Sequence, residues 1–168
     1  PKTDAVPAAD MLEIDRWMLS RAAQFQAEVL KHYEVYEFHP VVSKLQVFCS
    51  EDLGAFYLDV LKDRLYTTAP KSKARRSAQT AMWRVTEAFV RLMAPVLTFT
   101  TDEVWAQLPK KKDAPESVHL ALFPEPSDLT FGLNAEHRTR LENWDRLVAV
   151  RETVNKSLEA ARQEKFIG

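Results

Sequence analysis

The 168-residue sequence has little glycine, almost no cysteine and no long apolar run, and each shortage excludes something. Three glycines (Gly54, Gly132, Gly168) and no Asn-Gly or Asp-Gly pair leave no tight hairpin turns from which to build a sheet. No Gly-rich phosphate loop can be traced, and Gly-x-Ser-x-Gly and His-Glu-x-x-His are missing too. One cysteine, Cys49, excludes an internal disulfide and a thiolate metal site, and favours a cytoplasmic address. No stretch approaches the roughly 18–20 apolar residues of a membrane span, and Pro1-Lys2-Thr3-Asp4 does not resemble a signal peptide, so no membrane is expected as a partner. Hydrophobic residues make up 46% and charged residues 28%, and a chain of this length buries a core as a single domain spanning 1–168. Both ends read as cuts within a longer chain. The first residue is not Met, and Lys165-Phe166-Ile167-Gly168 looks like the middle of a segment.

What is present is helical periodicity. Asp10, with Glu13 three residues on, is a plausible N-cap for a first helix carrying Ile14, Met18, Ala22, Phe25, Val29 and Tyr33 on one face and ending before Phe38. A second stripe, Val41/Val42, Leu45, Phe48/Cys49, Asp52/Leu53, Phe56, Val60, predicts a helix over 39–66 that Gly54 bends or interrupts. A third runs over 74–94, with Ala78, Met82, Val85, Phe89 and Leu92 inside and Pro95 as its stop. Thr100 and Glu103 form a capping-box pair opening a short helix over 101–108. Residues 1–9 and 109–133 are loop-rich, the latter with Lys110 to Lys112 and a strand-like run, Val118 to Leu122. A last long helix starts near Asn134 and carries Leu141, Trp144, Leu147/Val148, Val154, Leu158 and Ala161 on a face that closes against the others. The fold class is all-α, a bundle of four long helices plus a short one.

Charge is distributed unevenly although the net is −1. Residues 1–61 carry five Lys/Arg against ten Asp/Glu, whereas residues 62–76 carry Lys62, Arg64, Lys71, Lys73, Arg75 and Arg76 against Asp63 alone. A basic island between two helices is either a solvated charged loop or a place that attracts phosphates, the more so beside outward-pointing N–H groups of a helix start. Trp17 and Arg21 share one face four residues apart. They are either a base-stacking pair, as RNA readers use, or a core ring and its polar lid. Tyr57 beside Phe56 poses the same choice. Trp83, Trp105 and Trp144 lie on or beside stripes and read as core, as does Cys49. His32, His39, His119 and His137 are scattered. Glu116 and His119 match one Glu-x-x-His pair of a di-iron bundle, but such a site needs the pair twice on long helices. Neither a catalytic residue nor a metal site is expected.

Several strings go further. Leu12-Glu13-Ile14-Asp15-Arg16-Trp17-Met18-Leu19-Ser20-Arg21, Tyr36-Glu37-Phe38-His39, the run from Asp52 to Tyr66, Arg75-Arg76-Ser77-Ala78-Gln79-Thr80, the run from Leu92 to Trp105, Ser117-Val118-His119-Leu120 and Val150 to Arg162 occur in one order. Together they resemble the anticodon-binding helical domain of bacterial-type isoleucyl-tRNA synthetases over residues 12–168. The Ala-Pro-Val-Leu segment at 94–97 is shared with the valyl, leucyl and methionyl relatives. The Tyr57-Leu58-Asp59 to Lys62-Asp63-Arg64-Leu65-Tyr66 block and Arg75 to Gln79 are more particular to the isoleucyl enzymes.

The resemblance implies a clamp on the anticodon stem-loop of isoleucine tRNA, working for a catalytic domain of the same longer protein. The HIGH-type and KMSKS-type signatures are absent, Lys71-Ser72-Lys73 being too short a likeness. Also absent are the editing domain and the cysteines of the zinc module, so ATP with magnesium, and zinc, are implied for the parent and no cofactor for this stretch. By analogy with the methionyl relatives, Arg21 (with Trp17) and Tyr57 would meet anticodon bases. Lys62, Arg64, Lys71, Lys73, Arg75 and Arg76 would meet phosphates. The competing readings are the same domain of a valyl enzyme and a protein-interaction bundle without RNA.

Overall fold

In the computed structural model, residues 4–110, 113–130, 132–133 and 135–167 are described, the side chains of 135–142 excepted. Lys111, Lys112, Asn134 and Gly168 lie outside the described residues, as do the side chains of His137 and Leu141. The elements are α1 (Glu13–Glu34), α2 (Phe38–Val47), a π-helical segment (Phe48–Leu58), α3 (Asp59–Thr67), α4 (Lys73–Met93), α5 (Thr98–Gln107), α6 (Pro126–Thr130) and α7 (Ala135–Gln163), with short 3-10 turns at Ala8–Asp10 and Val118–Leu120. The described residues are all-α, without a strand. The chain divides into two compact units, Pro1–Gly132 and Leu133–Gly168.

In the first unit α1 is central and packs against α2, α4 and α6, while α4 also meets α3 and α5. Met18, Leu19 and Val29 of α1, Val41 of α2, Leu61 of α3 and Ala78, Ala81, Leu92 and Met93 of α4 are fully buried. A three-ring stack of Phe25, Phe48 and Phe89 joins α1, the π-helical segment and α4. Helices α1 and α4 run in the same direction. Ser77 bonds to Asp15 near their starts, and the Tyr33 hydroxyl donates to the Leu92 carbonyl at 3.0 Å near their ends. Burial pushes the Tyr33 phenol up to about 12.

Several expected boundaries shift, each for a local reason. Asp10 does not cap α1, because it lies in the preceding 3-10 turn. Leu12 holds the N-cap position without a side-chain bond, and Glu13 and Asp15 face the positive end of the helix dipole. Helix α1 leaves through Tyr36 at φ +59°, a left-handed position that glycine usually fills. Ser72 caps α4 by accepting from the Arg75 N–H at 3.2 Å, which starts the helix at Lys73. Helix α5 opens at Thr98, so Thr100 is inside it rather than capping it, and the Thr101 hydroxyl bonds back to the Leu97 carbonyl.

The strand-like run at 118–122 is a 3-10 turn instead. Asp102 of α5 pins it by accepting from the Ser117 hydroxyl (2.7 Å) and the Val118 N–H (3.1 Å). Val118 is thereby buried against Val90, Ala94 and Trp105. The expected loop over 109–133 also contains α6, whose Leu129 is buried.

The largest departure lies at Gly54. The α-helix of the second stripe is interrupted around Gly54 by a π-helical segment, which closes i→i+5 bonds and adds residues per turn. A Cβ on Gly54 would come within 3.0 Å of the Cys49 carbonyl, so glycine fits the segment. The wider turn rotates the stripe. Tyr57 and Leu61 enter the core, while Val60 and Cys49 become exposed, Cys49 against its expected core position. The second unit carries α7, with Leu147, Val154 and Leu158 along it.

Candidate nucleic-acid interface

The end of α3, the turn over 68–72 and the start of α4 bring the basic island together around a buried carboxylate. Asp15, 0% exposed, accepts from the Tyr57 hydroxyl (2.8 Å), the Ser77 hydroxyl and both terminal nitrogens of Arg64 (3.1 and 2.6 Å). Arg64 also donates to the Ala74 carbonyl at 2.6 Å, and Ser77 accepts from the Leu12 N–H at 2.9 Å. One carboxylate therefore ties α1, the π-helical segment, α3 and α4 to one point. A buried charge is tolerated only with such a full set of partners.

This network corrects three of the expected RNA contacts. Tyr57 is 1% exposed, and burial, with Asp15 beside it, drives its phenol far above the usual range, so the ring has no face left for a base. Arg64 spends its guanidinium on Asp15 and Ala74, its side chain only 16% exposed. Trp17 is 4% exposed and packs edge-on against Phe56 at 5.1 Å. It is core. Arg21, further along α1, remains at the surface and pairs with Asp52 of the π-helical segment at 3.0 Å while reaching Gln24 at 3.2 Å.

The remaining cations stay at the corner in graded freedom. Arg75 braces it by donating to the Thr68 carbonyl at 3.1 Å, the Thr68 hydroxyl in turn holding the Arg64 carbonyl at 2.5 Å. Arg76 reaches Gln79 at 3.3 Å and Asp4 at 3.5 Å. Lys71 and Lys73 are exposed. Lys62 is exposed and pairs with Asp59 one turn back at 2.9 Å, which holds its ammonium above the usual lysine range.

The periodicity overlooked Tyr66. It stands four residues after Lys62 on α3 and is 83% exposed. Its ring stands free beside Lys62, open to stacking by an unpaired base. The signal was present in the sequence: Tyr66 adjoins the basic island, whereas Tyr57 lies on an apolar stripe. The His119 ring lies 3.2 Å from the Thr98 carbonyl, and among the described residues no group of three or more His, Cys, Asp or Glu is placed to hold a metal ion.

An all-α scaffold with a cationic corner carries the electrostatic footprint of a nucleic-acid-binding domain. The family model described as the anticodon-binding domain of tRNA ligase matches residues 15–168, and the chain belongs to that family. Its relatives include the isoleucine–tRNA ligases of Cupriavidus necator (52% identical over 167 residues), Bordetella avium (52% over 166) and Aeromonas salmonicida (48% over 168). These alignments cover 98–100% of this chain, and the chain spans 17% of the length of those relatives.

Proposed function

We propose that this domain grips the anticodon stem-loop of isoleucine tRNA as part of a longer cytoplasmic ligase that attaches isoleucine to that tRNA with ATP. The single observation carrying the reading is the α3–α4 corner, where Lys62 and Tyr66 are exposed one turn apart on α3 and Lys71 and Lys73 are exposed at the turn into α4. Cations draw in the phosphate backbone and release its counterions, while the ring offers a face to an unpaired base. Arg75 and Arg76 join through their partly exposed guanidinium groups, and Arg21 extends the surface along α1. Catalysis, ATP with magnesium, zinc and editing are assigned to parts of the longer protein beyond this stretch. No helix among the described residues is long and apolar enough to cross a membrane.

Filter binding of isoleucine tRNA to this chain at low salt tests the proposal. Affinity falling steeply with salt, and a preference over an unrelated tRNA, support it. Binding absent at low salt would favour a protein-interaction bundle.

A further inference from the structure

The connection from α3 to α4 is short and closed on itself. The Ser72 N–H donates to the Ala69 carbonyl at 2.9 Å, which makes a β-turn with Pro70 in its second position and Lys71 in its third. Proline presets the backbone there, so Lys71 stands at the apex of a stiff loop. Lys73 follows as the first residue of α4.

Side-chain bonds beneath the turn converge on Thr68. Its hydroxyl donates to the Arg64 carbonyl at 2.5 Å, in the last turn of α3, and accepts from the Ser72 hydroxyl at 3.2 Å. Its carbonyl accepts from the Arg75 guanidinium at 3.1 Å. Ser72 caps α4 through the Arg75 N–H, and Arg64 reaches across to the Ala74 carbonyl at 2.6 Å. Thr68 and Ser72 are half-buried, whereas Pro70, Lys71 and Lys73 are exposed. The bonds therefore lie on the protein side of the turn and the cations on the water side.

We propose that Thr68 is a positioning residue of the RNA-binding corner: its hydroxyl, bridging Arg64 and Ser72, fixes the 68–72 turn so that Lys71 and Lys73 are set for phosphates before RNA arrives. The inference rests on the proposed function of that corner. A turn ordered in advance spares binding the entropy of ordering it, which is how preorganisation raises affinity. Freeing about one residue of backbone corresponds to about tenfold in affinity. Valine at this position keeps the shape and loses the bridge, while serine keeps the bridge.

The test measures isoleucine tRNA binding to this chain over a series of salt concentrations for the parent, Thr68→Val and Thr68→Ser. Amide nitrogen relaxation of Ala69 and Lys71 is recorded without RNA. Thr68→Val should bind about tenfold more weakly at every salt concentration, with the salt slope of the parent because no cation is lost. The two amides should become more mobile, and Thr68→Ser should restore both affinity and order. A merely structural role would lower the melting temperature and leave the affinity of the folded protein alone. Thr68→Ala serves if Thr68→Val does not fold. Undiminished affinity in the folded variant, a loss that serine does not restore, a changed salt slope or unaltered amide mobility overturns the inference while the corner keeps its RNA role. A parent chain that binds no tRNA overturns the reading of the corner, and this inference with it.

Discussion

Asp15 has no access to water, so its charge depends on what surrounds it. Removing one partner leaves the carboxylate short of compensation, and Arg64→Met should lower stability by about 3 kcal/mol, checked by urea unfolding. Tyr57→Phe deletes one bond to a charged acceptor and should cost about 1.5–3 kcal/mol. The same residue sets a pH dependence. Its folded-state pKa lies far above that of the unfolded chain, so the neutral phenol stabilises the fold fully below about pH 10 and that contribution is lost as pH rises beyond. Alkaline unfolding of Tyr57→Phe should therefore show a shallower pH slope than the parent. Tyr66 is expected to behave in the opposite way. Tyr66→Ala should leave stability within about 0.5 kcal/mol and weaken stem-loop binding by about 1–3 kcal/mol. A variant that binds RNA as well as the parent would remove the ring from the interface.

At the scale of elements, the α3–α4 corner combines a structural and an electrostatic part. Arg64 and Arg75 hold the turn together, whereas Lys71 and Lys73 project from it. Reversing both lysines to Glu should weaken tRNA binding and flatten the salt dependence by about two phosphate contacts, with the melting curve unchanged. The α5 junction is sensitive to acid. The Ser117 hydroxyl, then the Val118 N–H, holds the Asp102 carboxyl below its usual value. Its contribution is complete above the unfolded carboxylate pKa and is lost as pH falls through the folded one, so in Asp102→Asn the Val118 amide should exchange hydrogen with a weaker dependence on acid.

Elements were legible in the sequence wherever 3.6-residue periodicity held. Helices α1, α4 and α5 lie within a few residues of expectation, and the expected caps missed because Leu12 and Leu97, without side-chain bonds, hold the N-cap positions of α1 and α5 in place of Asp10 and Thr100. The basic island was legible because charge is visible in composition. The division of its members between support and display was not, since Arg64 finds Asp15 49 positions away in the chain, a pairing that local spacing cannot reveal. The misplaced aromatic has a related cause: in an α-helical reading Tyr57 sits beside the stripe, and only the π register carries it inward.

For the molecule as a whole, the wide turns at 48–58 act as a phase adjuster. Shortening this stretch by one residue so that it rewinds as α-helix would turn everything after it by about 100° about the axis. Arg64 would swing away from Asp15 and Tyr66 would move off the surface it occupies, though not one charged side chain had been replaced. The proposed grip on RNA would thereby be set partly by a count of residues, and single-residue deletions across this stretch should abolish binding more completely than most substitutions within it.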